Sequence, residues 1–271
     1  MSDALSDDLF FGGRLRLLQP RKGHRVGTDA ALLAAAARSR MADGASVADF
    51  GAGVGAVGLS LALCGAGFAT LVEIDPATAA IAGENVLRND LGGRAEVQVC
   101  DVAEAGRGAG RPLRESLDLV ATNPPFDAAG RFRASPDADK ERAHAAGSGL
   151  IETWMRAAAR VLKPGGHLVM IHRPEAIGEL VAAAAGRFGE VRLRAVHARA
   201  DEPAIRILLA ARKGSRAALA VLPPFVLHGA GEVFTPEALE AQRGEAVLAM
   251  DDTKTPAARA GVRMDRKRPA Q

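Results

Sequence analysis

The chain has 271 residues, 48% of them hydrophobic, which is enough apolar material for one large α/β core with extensions. Its 35 Lys and Arg against 32 Asp and Glu leave a formal charge of +3, which excludes the heavily basic coat of a protein that holds nucleic acid by charge alone. Cys64 and Cys100 have no close Cys or His partner, which argues against a metal site, and no segment approaches the roughly 18 apolar residues needed to span a bilayer. Residues 1–11 are acidic and carry no apolar run, so the expectation is a cytoplasmic protein with reduced thiols, no membrane association and no metal. Nothing marks an oligomer interface, and a monomer is assumed.

In chain order, residues 11–26 read as an extended hairpin. Leu15, Leu17 and Gln19 alternate with Arg14, Arg16 and Leu18, and Pro20 and Gly23 bracket a turn. Thr28 is placed to cap a helix running through Arg38. From Ser46 onward, short β-like runs alternate with Ala/Leu-rich helical stretches, the pattern of crossover βαβ units. Strands are expected at residues 46–51, 69–74, 95–101, 117–123, 167–172, 191–197 and 205–211. Helices are expected at 55–64, 76–90, 148–162 and 174–188, with Gly165 and Gly166 stopping the third. The predicted fold class is therefore α/β, a Rossmann-like, seven-stranded, mostly parallel sheet with helices on both faces, plus an N-terminal hairpin.

The division that follows is a hairpin and helix over 1–45, a core over 46–212, an extension packed on the core over 213–250 and a charged, Pro-containing, disordered tail over 251–271.

Asp49-Phe50-Gly51-Ala52-Gly53-Val54-Gly55 ends the first core strand and opens a helix. Glycines there permit a tight turn and let backbone N–H groups approach a ligand. Gly53 to Gly58 also matches the dinucleotide fingerprint, so the loop alone leaves NAD and S-adenosylmethionine both open. Two carboxylates compete for a ribose. Asp75, followed by Pro76, fits a helix N-cap, which leaves Glu73 at the strand's carboxyl end as the first choice and Asp75 as the second. Asp101 is placed to accept from an adenine amino group and the backbone of Val102 to meet a ring nitrogen, the alternative being a simple turn aspartate.

The fourth core strand runs into Asn123-Pro124-Pro125-Phe126 at the sheet's carboxyl edge, where ligands bind in open α/β sheets. An exocyclic or amide nitrogen is a poor nucleophile because its lone pair is delocalised. The Asn123 side-chain oxygen and the Pro124 carbonyl can each accept one N–H, which holds the lone pair toward an electrophilic methyl group. Prolines stiffen the turn, and Phe126 offers a face for a planar substrate. Leu222-Pro223-Pro224-Phe225 repeats the ending without the asparagine or the strand, and reads as structural.

Together these motifs resemble the class I S-adenosylmethionine-dependent methyltransferases with an N-P-P-[FY] motif, which modify adenine N6, guanine N2 or glutamine N5. The flanking Phe11-Gly12-Gly13, Gln19-Pro20, His24 to Asp29, Leu32-Leu33 and His172-Arg173-Pro174-Glu175 are similar to bacterial tRNA adenine-N6 methyltransferases that act beside the anticodon of a valine tRNA. The resemblance implies S-adenosylmethionine as cofactor and tRNA as partner. It places Thr28 and Asp29 near the methionine part and Asp49, Gly51, Gly53, Gly55, Glu73, Asp75, Asp101, Val102 and Asn123 around the rest of the cofactor. Asn123, Pro124 and Phe126 would hold the flipped adenine. Arg14, Arg16, Arg21, Lys22 and Arg25 either meet phosphates or form an ordinary solvated hairpin. Residues 127–147 look like a substrate lid, with Arg131, Arg133, Arg142 and His144 as RNA contacts. A glutamine methyltransferase remains the nearest alternative, an rRNA guanine N2-methyltransferase another, and an NAD-dependent dehydrogenase a distant one.

Overall fold

In the computed structural model the described residues are 4–23, 25–108, 112, 114–126, 139–231 and 233–251, the side chains of 139–148 excepted. The N-terminal hairpin pairs β1 (Leu5–Phe10) antiparallel with β2 (Leu15–Pro20), with Phe10 opposite Leu15. Its turn is therefore at residues 11–14 and not at 20–23. Phe11, Gly12 and Gly13 all take left-handed backbone angles there. The expected alternation in β2 is present, with Leu15, Leu17 and Gln19 buried. What the hydrophobic pattern did not reveal is β1, whose Asp7 and Asp8 are held by charge: Arg16 and Arg88 meet Asp7 at 2.5 Å, and Arg25 meets Asp8 at 2.8 Å.

The other edge of β2 is closed by side chains. In α3 (Pro76–Arg88) the Asn85 Oδ1 accepts from Leu18 N–H at 2.7 Å, and Asn85 Nδ2 donates to the Leu18 carbonyl at 2.9 Å and to the Val54 carbonyl at 3.0 Å. Just past the helix end, Asn89 does the same for the N–H and C=O of Arg16, both at 2.9 Å. Each amide substitutes for a neighbouring strand, and Asn85 also ties the hairpin to the glycine loop.

The first helix, α1, spans Thr28–Arg38, but Gly27 occupies its N-cap and no side chain caps it. Thr28 is the first helical residue, so its expected capping role is corrected. Ala30 to Ala37 are all buried, and their small side chains let α1 lie against α2 (Ala56–Leu63) and the sheet.

The main sheet has nine strands. β3 (Ser46–Phe50), β4 (Phe68–Glu73), β5 (Ala95–Val99), β6 (Leu117–Thr122), β7 (Leu162–His172), β8 (Phe188–His197) and β9 (Ala204–Lys213) are its body. They run in the order β8-β9-β7-β6-β3-β4-β5, with β9 antiparallel to both neighbours and the rest parallel. The two extra strands, β10 (Ala220–Val221) and β11 (Phe225–Val226), lie parallel to β8, so the expected count of seven is two short. Leu222-Pro223-Pro224 is the link between them, with Leu222 and Phe225 buried in the core.

Apolar clusters cover both faces. One gathers α1, α2, the hairpin and α6 (Pro236–Arg243), and the other gathers α4 (Asp139–Val161) and α5 (Ile177–Ala184). The third core helix, α4, starts well before residue 148, inside the stretch read as a lid, and ends at Val161 close to the expected stop, while β7 starts earlier than expected, at Leu162, with Lys163 to Gly166 at a break in its register with β6. Lys163 is fixed at 2.7 Å from Asp118, and Gly165 takes a left-handed φ of +80°. Arg131 and Arg133 lie outside the described residues, as do 252–271. Arg142 and His144 fall on α4, in the part whose side chains are not described. No described helix is long and apolar enough to cross a membrane.

Strand order reverses between β3 and β6: successive connections run outward through β4 and β5 on one side and through β7 on the other. The crevice at such a switch point, beyond the strands' carboxyl ends, is where a ligand fits.

Candidate cofactor and substrate site

The glycine loop follows β3 directly. Gly51, Gly53 and Gly55 have φ of +67°, +56° and +94°, and Gly55 is the N-cap of α2. At Gly53 a Cβ would meet nothing within 4 Å, so glycine there serves the left-handed turn and keeps the loop open to the crevice. Gly58 works differently. A Cβ there would lie 2.1 Å from a Leu71 methyl carbon and 3.1 Å from the Asp49 Cβ, so its role is to let α2 approach the sheet.

Two carboxylates brace this loop and a third stands just beyond it. Asp49, 2% exposed, accepts from Gly58 N–H at 2.8 Å. Burial pushes its carboxyl up to about 7; the Gly58 hydrogen bond opposes that shift and the Glu73 charge adds to it. Glu73 accepts three backbone N–H groups, from Gly53 through Oε2 and from Ile74 and Asp75 through Oε1, each at 2.9 Å. Asp75 caps α3, taking the N–H and hydroxyl of Thr78 at 2.8 and 2.6 Å. Those bonds hold its carboxyl below the usual range.

Asp101 accepts from Ala103 N–H at 2.9 Å and so caps the short turn Val102–Glu104, and the Val102 side chain is buried. That bond is what a turn aspartate makes.

A cavity of about 640 Å³ opens over the loop, within the size range of small-molecule sites. Thr28, Asp29, Asp49, Gly51, Gly53, Glu73 and Asn123 all line it, gathered from five separate elements and loops. Gly55, Asp75, Asp101, Val102, Pro124 and Phe126 are not part of its wall. The Asn123 Oδ1 is buried and has no hydrogen-bond partner among the described residues. A buried acceptor left open costs stability, so its retention beside a ligand-sized cavity fits a partner supplied by a ligand.

Phe126 lies just behind this wall. The His172 ring meets its ring edge-on with centroids 5.1 Å apart, Arg206 Cζ lies over it at 5.0 Å, and Arg173 donates to the Phe126 carbonyl at 2.7 Å. Burial pulls the His172 imidazole below its ordinary value and so favours the neutral ring.

Arg206 was not singled out from the sequence. It stands near the start of β9, and because β9 is antiparallel to β7, with Ile207 opposite His172, that start lies at the carboxyl edge of the parallel strands. Its Nε donates to Asp29 Oδ2 at 2.8 Å.

The hairpin's basic cluster is largely engaged within the protein. Arg16 and Arg25 are ion-paired as above, and Arg14 lies over the Phe11 ring and donates to the Gly244 carbonyl at 3.2 Å. Arg21 and Lys22 are exposed in the segment that follows β2, with Lys22 on the cavity's rim. Among the described residues no group of His, Cys, Asp and Glu is arranged to hold a metal ion.

Asp49 sets a pH dependence. Its carboxyl titrates near 3.8 when unfolded and near 7 when folded, so between those values the native state holds the extra proton. Its contribution is fully present below the unfolded value and is lost as pH rises through about 7. Asp49→Asn, which can still accept from Gly58 but cannot titrate, should therefore melt progressively closer to the wild type, or above it, as pH is raised from 4 to 8. A melting-temperature difference that stays flat across that range would contradict a buried, proton-binding Asp49.

The glycine loop, its carboxylates and Asn123 are gathered at the switch point of a Rossmann-like sheet, where the methyltransferase class holds S-adenosylmethionine. The profile of the methyltransferase small domain matches residues 24–197, and the chain belongs to that family. A solved structure from Agrobacterium tumefaciens, described as a predicted O-methyltransferase, is 30% identical, with a TM-score of 0.64, over 81% of this chain and 98% of its own. Two curated relatives are named tRNA1(Val) (adenine(37)-N6)-methyltransferase. One, from a Flavobacteriaceae bacterium, is 27% identical over 56% of this chain; the other, from Bacteroides fragilis, is 29% identical over 54%. The matched region spans 61% and 59% of their lengths. The fold is shared with a Thermus thermophilus 16S rRNA N2 G1207 methyltransferase, at 22% identity and a TM-score of 0.53 over 77% of this chain and 50% of that one.

Proposed function

We propose that this enzyme methylates N6 of an adenosine in tRNA, beside the anticodon of a valine tRNA. The observation that carries the reading is that Asn123, at the end of β6, lines the same cavity as the glycine loop and holds a buried, unpartnered Oδ1. The names of the two curated relatives point the same way.

S-adenosylmethionine supplies an electrophilic methyl group on a sulfonium. Glu73 would accept from the ribose through the acceptor capacity its three backbone bonds leave, about one of four lone-pair positions, which suits a single hydroxyl. Gly51 and Gly53 would let the cofactor approach the loop backbone, and Thr28, Asp29 and Asp49, which line the same cavity, would hold the rest of it. Asp75 and Asp101 act at one remove, since their side chains are committed to capping. Gly55 starts α2, and Val102 fixes the turn at the end of β5. On the acceptor side, Asn123 Oδ1 and the Pro124 carbonyl each take one N–H of the target amine, turning its lone pair toward the methyl group. Phe126 provides the flat support behind them. The surplus proton leaves to solvent after transfer, and no general base is required before it.

The test is incubation with labelled S-adenosylmethionine and total tRNA from a strain lacking the protein, followed by nucleoside mass spectrometry. N6-methyladenosine in a valine tRNA is the expected product. Label on guanine N2, on ribose oxygen or only in protein would replace this reading with an rRNA-type, O-methylating or glutamine-modifying one.

A further inference from the structure

We propose that Arg206, and not the Phe126 ring itself, forms the surface on which the acceptor base lies. The inference rests on the RNA-base reading above. Arg206 lines the cavity together with Asn123, whereas Phe126 does not, and the Arg206 guanidinium lies over the Phe126 ring at 5.0 Å. A base sandwiched between two planes needs about twice the ordinary contact distance of 3.5–4.0 Å between them. At 5.0 Å from ring to guanidinium carbon there is no such slot. The base therefore meets the guanidinium, with the ring as backing.

Arg206 is built to stay in that place. Its Nε is held by Asp29 at 2.8 Å, one terminal nitrogen donates to the Ile205 carbonyl at 2.7 Å, and the side chain is 29% exposed. A guanidinium fixed at its edges by hydrogen bonds and backed by an aromatic ring offers a planar cationic face, and unstacked bases lie on such planes as readily as on aromatic rings. The Asp29 carboxylate also balances the charge locally, so the platform does not set a bare cation against the sulfonium donor. An electron-rich purine gains from the cation beneath it, which makes Arg206 a specificity residue as well as a support.

The experiment compares wild type, Arg206→Ala, Arg206→Lys and Phe126→Leu on tRNA, with KM for tRNA, kcat and the calorimetric Kd for S-adenosylmethionine measured for each. Losing one stacked base is expected to raise KM for tRNA tenfold to about a hundredfold in Arg206→Ala. Cofactor Kd should stay within threefold, which also reports that the variant is folded. Arg206→Lys should stay close to Arg206→Ala, because it keeps the charge and loses the plane. Phe126→Leu should raise KM less than Arg206→Ala, since it removes only the backing.

Three results would overturn the proposal: full recovery of KM in Arg206→Lys, which assigns a phosphate contact; a larger KM effect in Phe126→Leu than in Arg206→Ala, which returns the stacking surface to the ring; or a change confined to cofactor Kd. Wild-type enzyme that labels no RNA removes the function proposed above and this inference with it, whereas labelled RNA at unchanged KM in Arg206→Ala removes this inference alone.

Discussion

Asn123→Ala is expected to lower kcat for methyl transfer by about 100- to 1000-fold, the scale seen when one preorganised group aimed at a developing charge is removed. The acceptor oxygen earns nothing in the free protein, where it is buried with no partner among the described residues. On the proposed mechanism its hydrogen bond would form only with the target amine and strengthen as that nitrogen gains positive charge. The loss therefore belongs to kcat, while the Kd for S-adenosylmethionine should change little. Stability provides an internal control. Replacing an open buried acceptor with a methyl group removes a desolvated polar atom, so the variant should melt at or slightly above the wild-type temperature. Single-turnover assays with saturating cofactor, alongside thermal melts, are the measurement. Activity within tenfold of wild type, or a markedly less stable variant, would mean that Asn123 is a packing residue.

Glu73→Ala should weaken S-adenosylmethionine binding by ten- to about a hundredfold by calorimetry, with kcat at saturating cofactor nearly unchanged. Two losses combine. The ribose contact is uniform between ground and transition states, so its removal falls on binding. The Gly53 N–H also loses its charged acceptor, and hydrogen bonds to charged groups contribute about 1.5–3 kcal/mol. The Ile74 and Asp75 N–H groups lie in an exposed turn, where water can replace the carboxylate at little cost. Glu73→Gln, which keeps one acceptor oxygen, should fall between. Unchanged affinity in both variants would transfer the ribose to another residue, and Asp75 would have to give up its cap on Thr78 to take it.

The parts of the fold that were legible are those whose chemistry is local. The glycine loop, Glu73 at the end of β4, the Asp75 cap and the strand leading into Asn123 each depend on neighbours within a few residues. The misplaced hairpin shows the opposite case. Residues 5–10 look like a polar lead-in because β1 is an edge strand anchored by Arg16, Arg25 and Arg88, the last from a helix about eighty positions away. Thr28 has the right residue type for a cap, but Gly27 reaches the extended conformation first and takes the position. Lys163 to Gly166 does follow the end of α4 at Val161, but Leu162 already pairs with Leu117 of β6, so β7 opens before those residues, which sit at a break in its register with β6. Arg206 was invisible for a topological reason: only the antiparallel return of β9 brings it to the crevice, and no spacing along the chain encodes that.

The two asparagines of α3 have an outcome that concerns the protein at high concentration. A two-stranded ribbon normally leaves two open edges, and an open edge is a template for strands from other molecules. Here Asn85 and Asn89 fill the β2 edge at Leu18 and Arg16, while on β1 the carboxylates of Asp7 and Asp8 are engaged by Arg16, Arg88 and Arg25. The β2 edge is thus closed by amides, and a strand from a second molecule finds no open ladder there to extend.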